Sequence, residues 1–471
     1  MSQSASTAPE IVERALALSK TPECMVVVTE RSTANLRWAG NSLTTNAVTT
    51  QRSVTVLALV HGTAGTSAGV MERTGASAEE LEELVRAAER AAASAQPAED
   101  AQPLLEPAQA GSGTDWDAAV ESTSMDVLAD FARSLGGAFN RQSTAGHLLY
   151  GFAEHEVTST FLGTSSGLRL RHDQPTGTVE INAKTAAPGT TGGHSTWVAQ
   201  ATRDFTDVNA ESLEGELERR ISWGQRQVEL PAGRYETLLP PSAVADFMVG
   251  LYRNLGARDA VEGRTVFSTT DGGTRLGAEL SHLPLTLYSD PTQPGLECAP
   301  FVLAEAPGRN LSAFDNGLAI DRTEWISQGR LSALAHTRHS AQLTGQPVTP
   351  FTDNLLLNSS TASSGLDDMI ASTERGLLLT CLWYIREVDP QSLLLTGLTR
   401  DGVYLVEDGE VTAAVNNFRF NESPVGLLER AVEAGTSQPT LSREFGDYFS
   451  RTAMPALRIA DFNMSTVSQA S

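Results

Sequence analysis

The chain has 471 residues, 40% of them apolar and 6% aromatic, with 57 acidic against 34 basic residues and a net charge of −23. That length allows two or three domains around sizeable cores. The acidic balance argues against a nucleic-acid binder, because such a surface repels phosphate and releases no counterions.

Three cysteines, Cys24, Cys298 and Cys381, are far apart and lack any Cys-x-x-Cys spacing, so they read as reduced thiols of a cytoplasmic protein. The first twenty residues show no basic start followed by an apolar block, as a secretory signal would. The longest apolar run, Leu377 to Ile385, is about half of the roughly 20 residues that a membrane-spanning helix needs.

In chain order, Ile11, Val12, Ala15 and Leu16 share one helical face after Pro9. Strands are predicted at 25–30, 41–50 and 53–60. A helix follows from Ser77, with Ser77 and Glu80 in capping-box positions and Leu81, Leu84, Val85 and Ala88 on one side. Residues 92–116, rich in Ala, Pro, Gln and acid, read as a frayed helix end running into a mobile linker or long loop.

The pattern then recurs. Met125 to Leu135 predicts a helix, 146–152, 156–162, 168–171 and 177–183 predict strands, and Leu213, Leu217 and Ile221 predict a second helix. Helix, strands, helix occurs twice, which implies an internal duplication at the level of element order. Pro231-Ala232-Gly233 sets a boundary, followed by a strand ending near Leu239, a helix over 243–255 and mostly short strands. The fold class is α+β: an N-terminal α/β domain of duplicated helix-strands-helix units at 1–228 and a mostly-β C-terminal domain at 229–471. Within the latter, Leu377 to Ile385 reads as one doubly buried strand, and Asp408-Gly409 as a two-residue hairpin turn between Val403–Glu407 and Glu410–Phe418.

Candidate chemistry is sparse. Gly-x-Ser-x-Gly occurs around Ser67 and Ser165, but a nucleophile elbow needs a strand-to-helix turn. Ser165 lies between two strand-like runs and Ser67 in a loop, so both glycine pairs read as turn residues. His155-Glu156 opens like a zinc-peptidase motif, yet Ser159 and Thr160 stand where the second imidazole belongs, and the flanking residues favour a strand with His155 on its surface. His336 and His339 fit one helical face, without a nearby third ligand or carboxylate base. There is no complete catalytic set.

The blocks Asp290-Pro-Thr-Gln-Pro-Gly, Phe314-Asp-Asn-Gly and above all Gly376 to Phe420, with its Val-Asp-Pro, Thr-Gly and Tyr-Leu-Val-Glu hairpin, resemble the TldD/PmbA family. Its zinc-bearing subunits carry a Leu-Leu pair leading into a His-Glu-x-x-x-His helix, completed by a later cysteine. Here Leu238-Leu239 leads instead to Pro240, Pro241 and Ala245 at those positions, and no cysteine stands near Thr396 to Asp401. The resemblance thus implies a PmbA/TldE-type chain with no metal of its own, zinc being expected in a TldD-like partner subunit.

It further implies a heteromeric zinc metallopeptidase that trims unfolded peptides, this chain orienting the extended substrate and enclosing the cavity. Arg400 and Asp401, before the hairpin, are candidate substrate or partner contacts, or simply an ionic loop pair. Two other readings stand beside this one: a non-enzymatic peptide-binding scaffold, and an independent hydrolase using Ser67, Ser165, His336 or His339.

Overall fold

The computed structural model describes residues 6–75, 80–185, 194–400 and 402–468. Its amino-terminal half is one unit used twice. The first unit runs α1 (Ala8–Leu18), β1 (Glu23–Ala39), β2 (Leu43–Gly62), β3 (Gly65–Thr74) and α2 (Leu81–Ser94). The second runs α3 (Ala129–Ala145), β4 (His147–Thr164), β5 (Arg169–Thr185), β6 (Ser195–Thr202) and α4 (Ala210–Trp223). The strands form one antiparallel sheet in the order β3-β2-β1-β4-β5-β6, so the two units meet through their first strands. The duplication expected from element order is therefore present.

The strands outrun their hydrophobic patterning. Where the sequence predicts separate strands at 41–50 and 53–60, β2 is a single strand of 20 residues, and β4 and β5 each join two predicted strands. Continuous pairing carries the ladder through polar stretches such as Thr49 to Ser53, whose residues stay in register with Thr33 to Thr29 of β1. Pro175 is tolerated inside β5 because β6 pairs only with Gly177 to Lys184, so that side of β5 has no ladder bond to lose at the proline. Strand β3 was not predicted, and Ser77 lies outside the described residues, leaving Glu80 at the N-cap of α2.

One face of β1 serves two helix pairs. Cys24, Val26 and Val28 pack under α1 and α2, while Ala34, Leu36 and Trp38 pack under α3 and α4. Met25 and Val27 point the other way, toward Leu104, Leu105, Phe301 and Phe314. The stretch at 92–116 is accordingly a packed strap rather than a free linker. Asp100 accepts from the Gly308 amide at 2.7 Å and the Ser312 hydroxyl at 2.5 Å, and buried Arg171 donates to the carbonyls of Asp115 and Ala119, each at 3.1 Å. These partners lie far away in sequence, so composition gives no sign of them.

In the carboxy-terminal half, β7 (Gln227–Val228) and β8 (Gly233–Leu239) precede α5 (Pro241–Tyr252). Strand β7 already pairs with Ala414–Val415, so this sheet begins ahead of the Pro-Ala-Gly boundary. Every residue of α5 except Ser242 is buried. The helix is enclosed between two sheets, with Phe247, Met248 and Leu251 sharing a core with Leu285 and Trp325 of one and Leu377, Phe420 and Phe462 of the other.

The run at 377–385 is not one strand. Arg375–Leu379 is central and doubly buried, whereas Trp383–Asp389 lies at the far end of the same sheet. The chain turns through Thr380 to Leu382 and a positive φ at Tyr384, which an apolar run does not disclose. The hairpin at Asp408-Gly409 is as predicted, with φ 51° and 83° and Glu407 opposite Glu410. Its second strand ends at Val415, and Phe418–Glu422 is a separate strand.

Candidate functional site: a cleft roofed by the loop at 441–451

The cleft forms where the face of the amino-terminal sheet opposite its helices meets the loop at 441–451. Residues one apart from the helix-covered positions line it: Arg31 and Arg37 of β1, Glu154 and Glu156 of β4, and Thr176, Thr178 and Glu180 of β5. Asp353, Asp447, Tyr448 and Arg451 close the opposite side of a space of about 850 Å³. Arg31 meets Glu156 at 3.3 Å, and Arg451 meets Asp353 at 2.5 Å while donating to Thr176 at 2.6 Å. Half-buried Glu154 is raised in pKa, chiefly by burial and then by its neighbour Glu156.

Two buried carboxylates fix the loop that roofs this space. Asp246, one residue past Ala245 on α5, accepts the Ser442 hydroxyl at 2.5 Å and the Glu444 amide at 2.9 Å. Burial pushes Asp246 up to about 7 against those two hydrogen bonds, and its Oδ2 has no partner. Glu180 of β5 receives the Trp197 indole N–H at 2.8 Å and the Arg443 guanidinium at 3.2 Å. Arg443 in turn lies 3.9 Å from the Trp383 ring centre and 5.2 Å from that of Trp197. Burial raises the pKa of Glu180, and Arg443 opposes it. Sequence reading missed this cluster, although a lone aspartate in the apolar run Pro240 to Leu251 was a visible signal.

Pro240 is the N-cap of α5 and Pro241 its first residue, a favoured proline position because that amide has no helical partner. Both prolines and Ala245 are buried. None of the three side chains offers a lone pair, so zinc does not fit the residues at the head of this helix. Among the described residues, no three His, Cys, Asp or Glu side chains gather as a metal site.

The other candidates have structural partners. Ser67 lies within β3 and donates to the Ala95 carbonyl at 3.0 Å, while the Ser165 hydroxyl accepts from the Cys24 amide at 3.0 Å. One glycine of each motif serves a turn as expected, Gly65 and Gly167 having φ of 136° and 97°, while the other packs inside a strand: a Cβ on Gly69 would meet backbone atoms of Ala88 and Ala92 in α2 at 2.1 Å, and one on Gly163 would meet Val12 of α1 at 2.2 Å.

His155 is buried rather than on the surface, with Nδ1 at 2.7 Å from the Thr123 hydroxyl and Nε2 at 2.9 Å from the Arg203 carbonyl. Its expected exposure fails because Thr123, in the stretch that leads into α3, and the chain after β6 cover that face. His336 precedes the helix Arg338–Thr344, so the two imidazoles of His336 and His339 do not share a helical face. Arg400 is half-buried just after Thr399, and Asp401 lies outside the described residues.

The sequence profile of the PmbA/TldA metallopeptidase C-terminal domain matches residues 232–466. A crystal structure of TldE from Thermococcus kodakarensis superposes with a TM-score of 0.78 at 15% identity, covering 97% of this chain and 99% of that one. A putative modulator of DNA gyrase from Bacteroides thetaiotaomicron gives 0.77 at 14%, covering 98% of each chain. Another from Thermotoga maritima gives 0.76 at 16%, covering 97% of this chain and 100% of that one. At such identities these likenesses are of fold. No curated protein sequence matches significantly.

The fold and the matching domain define a protein of the metallopeptidase-related class. The chain belongs to the TldD/PmbA family.

Proposed function

We propose that this chain is the non-metal subunit of a heteromeric TldD/TldE-type zinc metallopeptidase, orienting unfolded peptides for a TldD-like partner that holds the zinc. The observation that carries the reading is the head of α5, where buried Pro240, Pro241 and Ala245 leave no ligand and no base. In that assembly the chain supplies shape. Its cleft, with paired Arg31–Glu156 and Arg451–Asp353 walls, suits the polar main chain of an extended peptide and is too narrow for a folded domain.

An unpaired sheet edge supports the same reading. Strand β3 covers β2 from Ser53 to Gly62 and the Gly75 amide donates to the Arg52 carbonyl, so among the described residues Leu43 to Gln51 has a ladder partner on the β1 side alone. This edge is exposed, contains no proline and has no charge before Arg52. Among the described residues it thus has neither the proline nor the charge by which sheets protect bare edges, and offers main-chain hydrogen bonds to an added strand. Asn41 holds the adjoining turn in place, donating to the His147 carbonyl at 2.7 Å and accepting from the Leu149 amide at 2.7 Å.

The test is coexpression with a His-Glu-x-x-x-His partner of the same family. A stable complex that cleaves flexible peptides, with each separate chain weak or inert, is the expected outcome. Chelator-sensitive peptide hydrolysis by this chain alone contradicts it.

A further inference from the structure

We propose that the apolar chamber beneath Tyr448 anchors one large apolar side chain of the peptide whose main chain occupies the adjoining polar cleft. This deepens the peptide-orienting function above and rests on it.

The chamber measures about 740 Å³ and is walled by Tyr252 of α5 together with Phe301, Val302, Phe351 and Phe449. Tyr252 contributes its ring, because its hydroxyl is already committed, donating to the Thr352 carbonyl at 2.9 Å and accepting from the Thr352 amide at 2.7 Å. At the rim, Leu311 is 44% exposed and Tyr448 79% exposed. Two large apolar side chains are thus left in water beside an apolar hollow, an arrangement typical of a binding site.

The chamber and the cleft adjoin, since Ala299, Asp353 and Tyr448 line both. A free hydrophobic compound would use only the chamber. An extended peptide with a bulky apolar residue flanked by polar ones uses both parts at once.

The experiment uses the full chain, alone and in complex with its partner, and four fluorescent peptides that differ only in a central Phe, Leu, Ala or Asp. By anisotropy, the Phe and Leu peptides should bind about tenfold or more tighter than the Ala peptide. Leu311→Asp, at an exposed chamber position that does not line the cleft, should erase that preference and leave the Ala peptide within about twofold of its original affinity, and Tyr448→Ala, which lines both spaces, should also erase the preference, both variants being checked by thermal melting. If affinity ignores the central residue, or if both rim variants keep the preference, the chamber assignment is overturned while the peptide-orienting function stands. If none of the four peptides binds chain or complex, that function falls with it.

Discussion

The hydroxyl of Ser442 donates to the buried carboxylate of Asp246 at 2.5 Å, fastening the loop that roofs the cleft to helix α5. The Glu444 amide adds a second hydrogen bond to the same oxygen at 2.9 Å.

This bond has a pH signature. The folded pKa of Asp246 is raised to about 7 by burial, above its ordinary value of 3.8. Between those values the folded chain holds a proton that the unfolded chain has released. Its contribution is thus fully present below pH 3.8 and is lost as pH rises through about 7. Asp246→Asn keeps an acceptor for Ser442 and Glu444 but cannot ionise. Urea unfolding at pH 5 and pH 8 should show the wild type losing a few kcal/mol more than the variant on going to the higher pH.

His155 works with the opposite sign. Burial lowers its pKa from 6.5, so the folded chain favours the neutral ring and stability is lost as pH falls below 6.5. His155→Ala should lower stability at neutral pH by about 1–3 kcal/mol, since Thr123 and the Arg203 carbonyl lose a buried partner. The gap to wild type should narrow toward pH 5, which chemical unfolding at the two pH values reads directly.

Arg443 joins the two halves of the chain, so its removal leaves Glu180 buried and unpaired. Arg443→Ala should cost on the order of 3 kcal/mol and expose the loop at 441–451 to limited proteolysis. Arg443→Ala combined with Glu180→Gln should recover part of the loss.

Gly69 is the point where α2 rests on β3. Gly69→Ala would place a Cβ 2.1 Å from Ala88 and Ala92 backbone atoms, and the helix must move. A destabilisation of about 1–3 kcal/mol is expected, whereas Ser67→Ala in the same motif should cost no more than about 1 kcal/mol and leave peptide cleavage by the complex intact.

Local signals explain what was legible in the sequence. Asp408-Gly409 specifies its own turn, and Leu81, Leu84, Val85 and Ala88 specify the buried face of α2, because these depend on neighbours within one element. The order of elements likewise disclosed the duplication. Strand lengths were hidden, since the polar centres of β2, β4 and β5 are carried by partners remote in the chain. The strap and the stretch after it were hidden for the same reason: Asp100 finds Ser312, and Thr123 finds His155, only after folding. The cleft depends on register, which alone puts Arg37, Glu154 and Thr178 on one face of three strands.

Native mass spectrometry with metal quantification, on this chain alone and on its coexpressed complex, tests the central claim most directly. The account predicts a metal-free isolated chain and a heteromer in which zinc follows the number of partner subunits. Stoichiometric zinc retained by this chain on its own, lost on substitution of its own side chains, would contradict it.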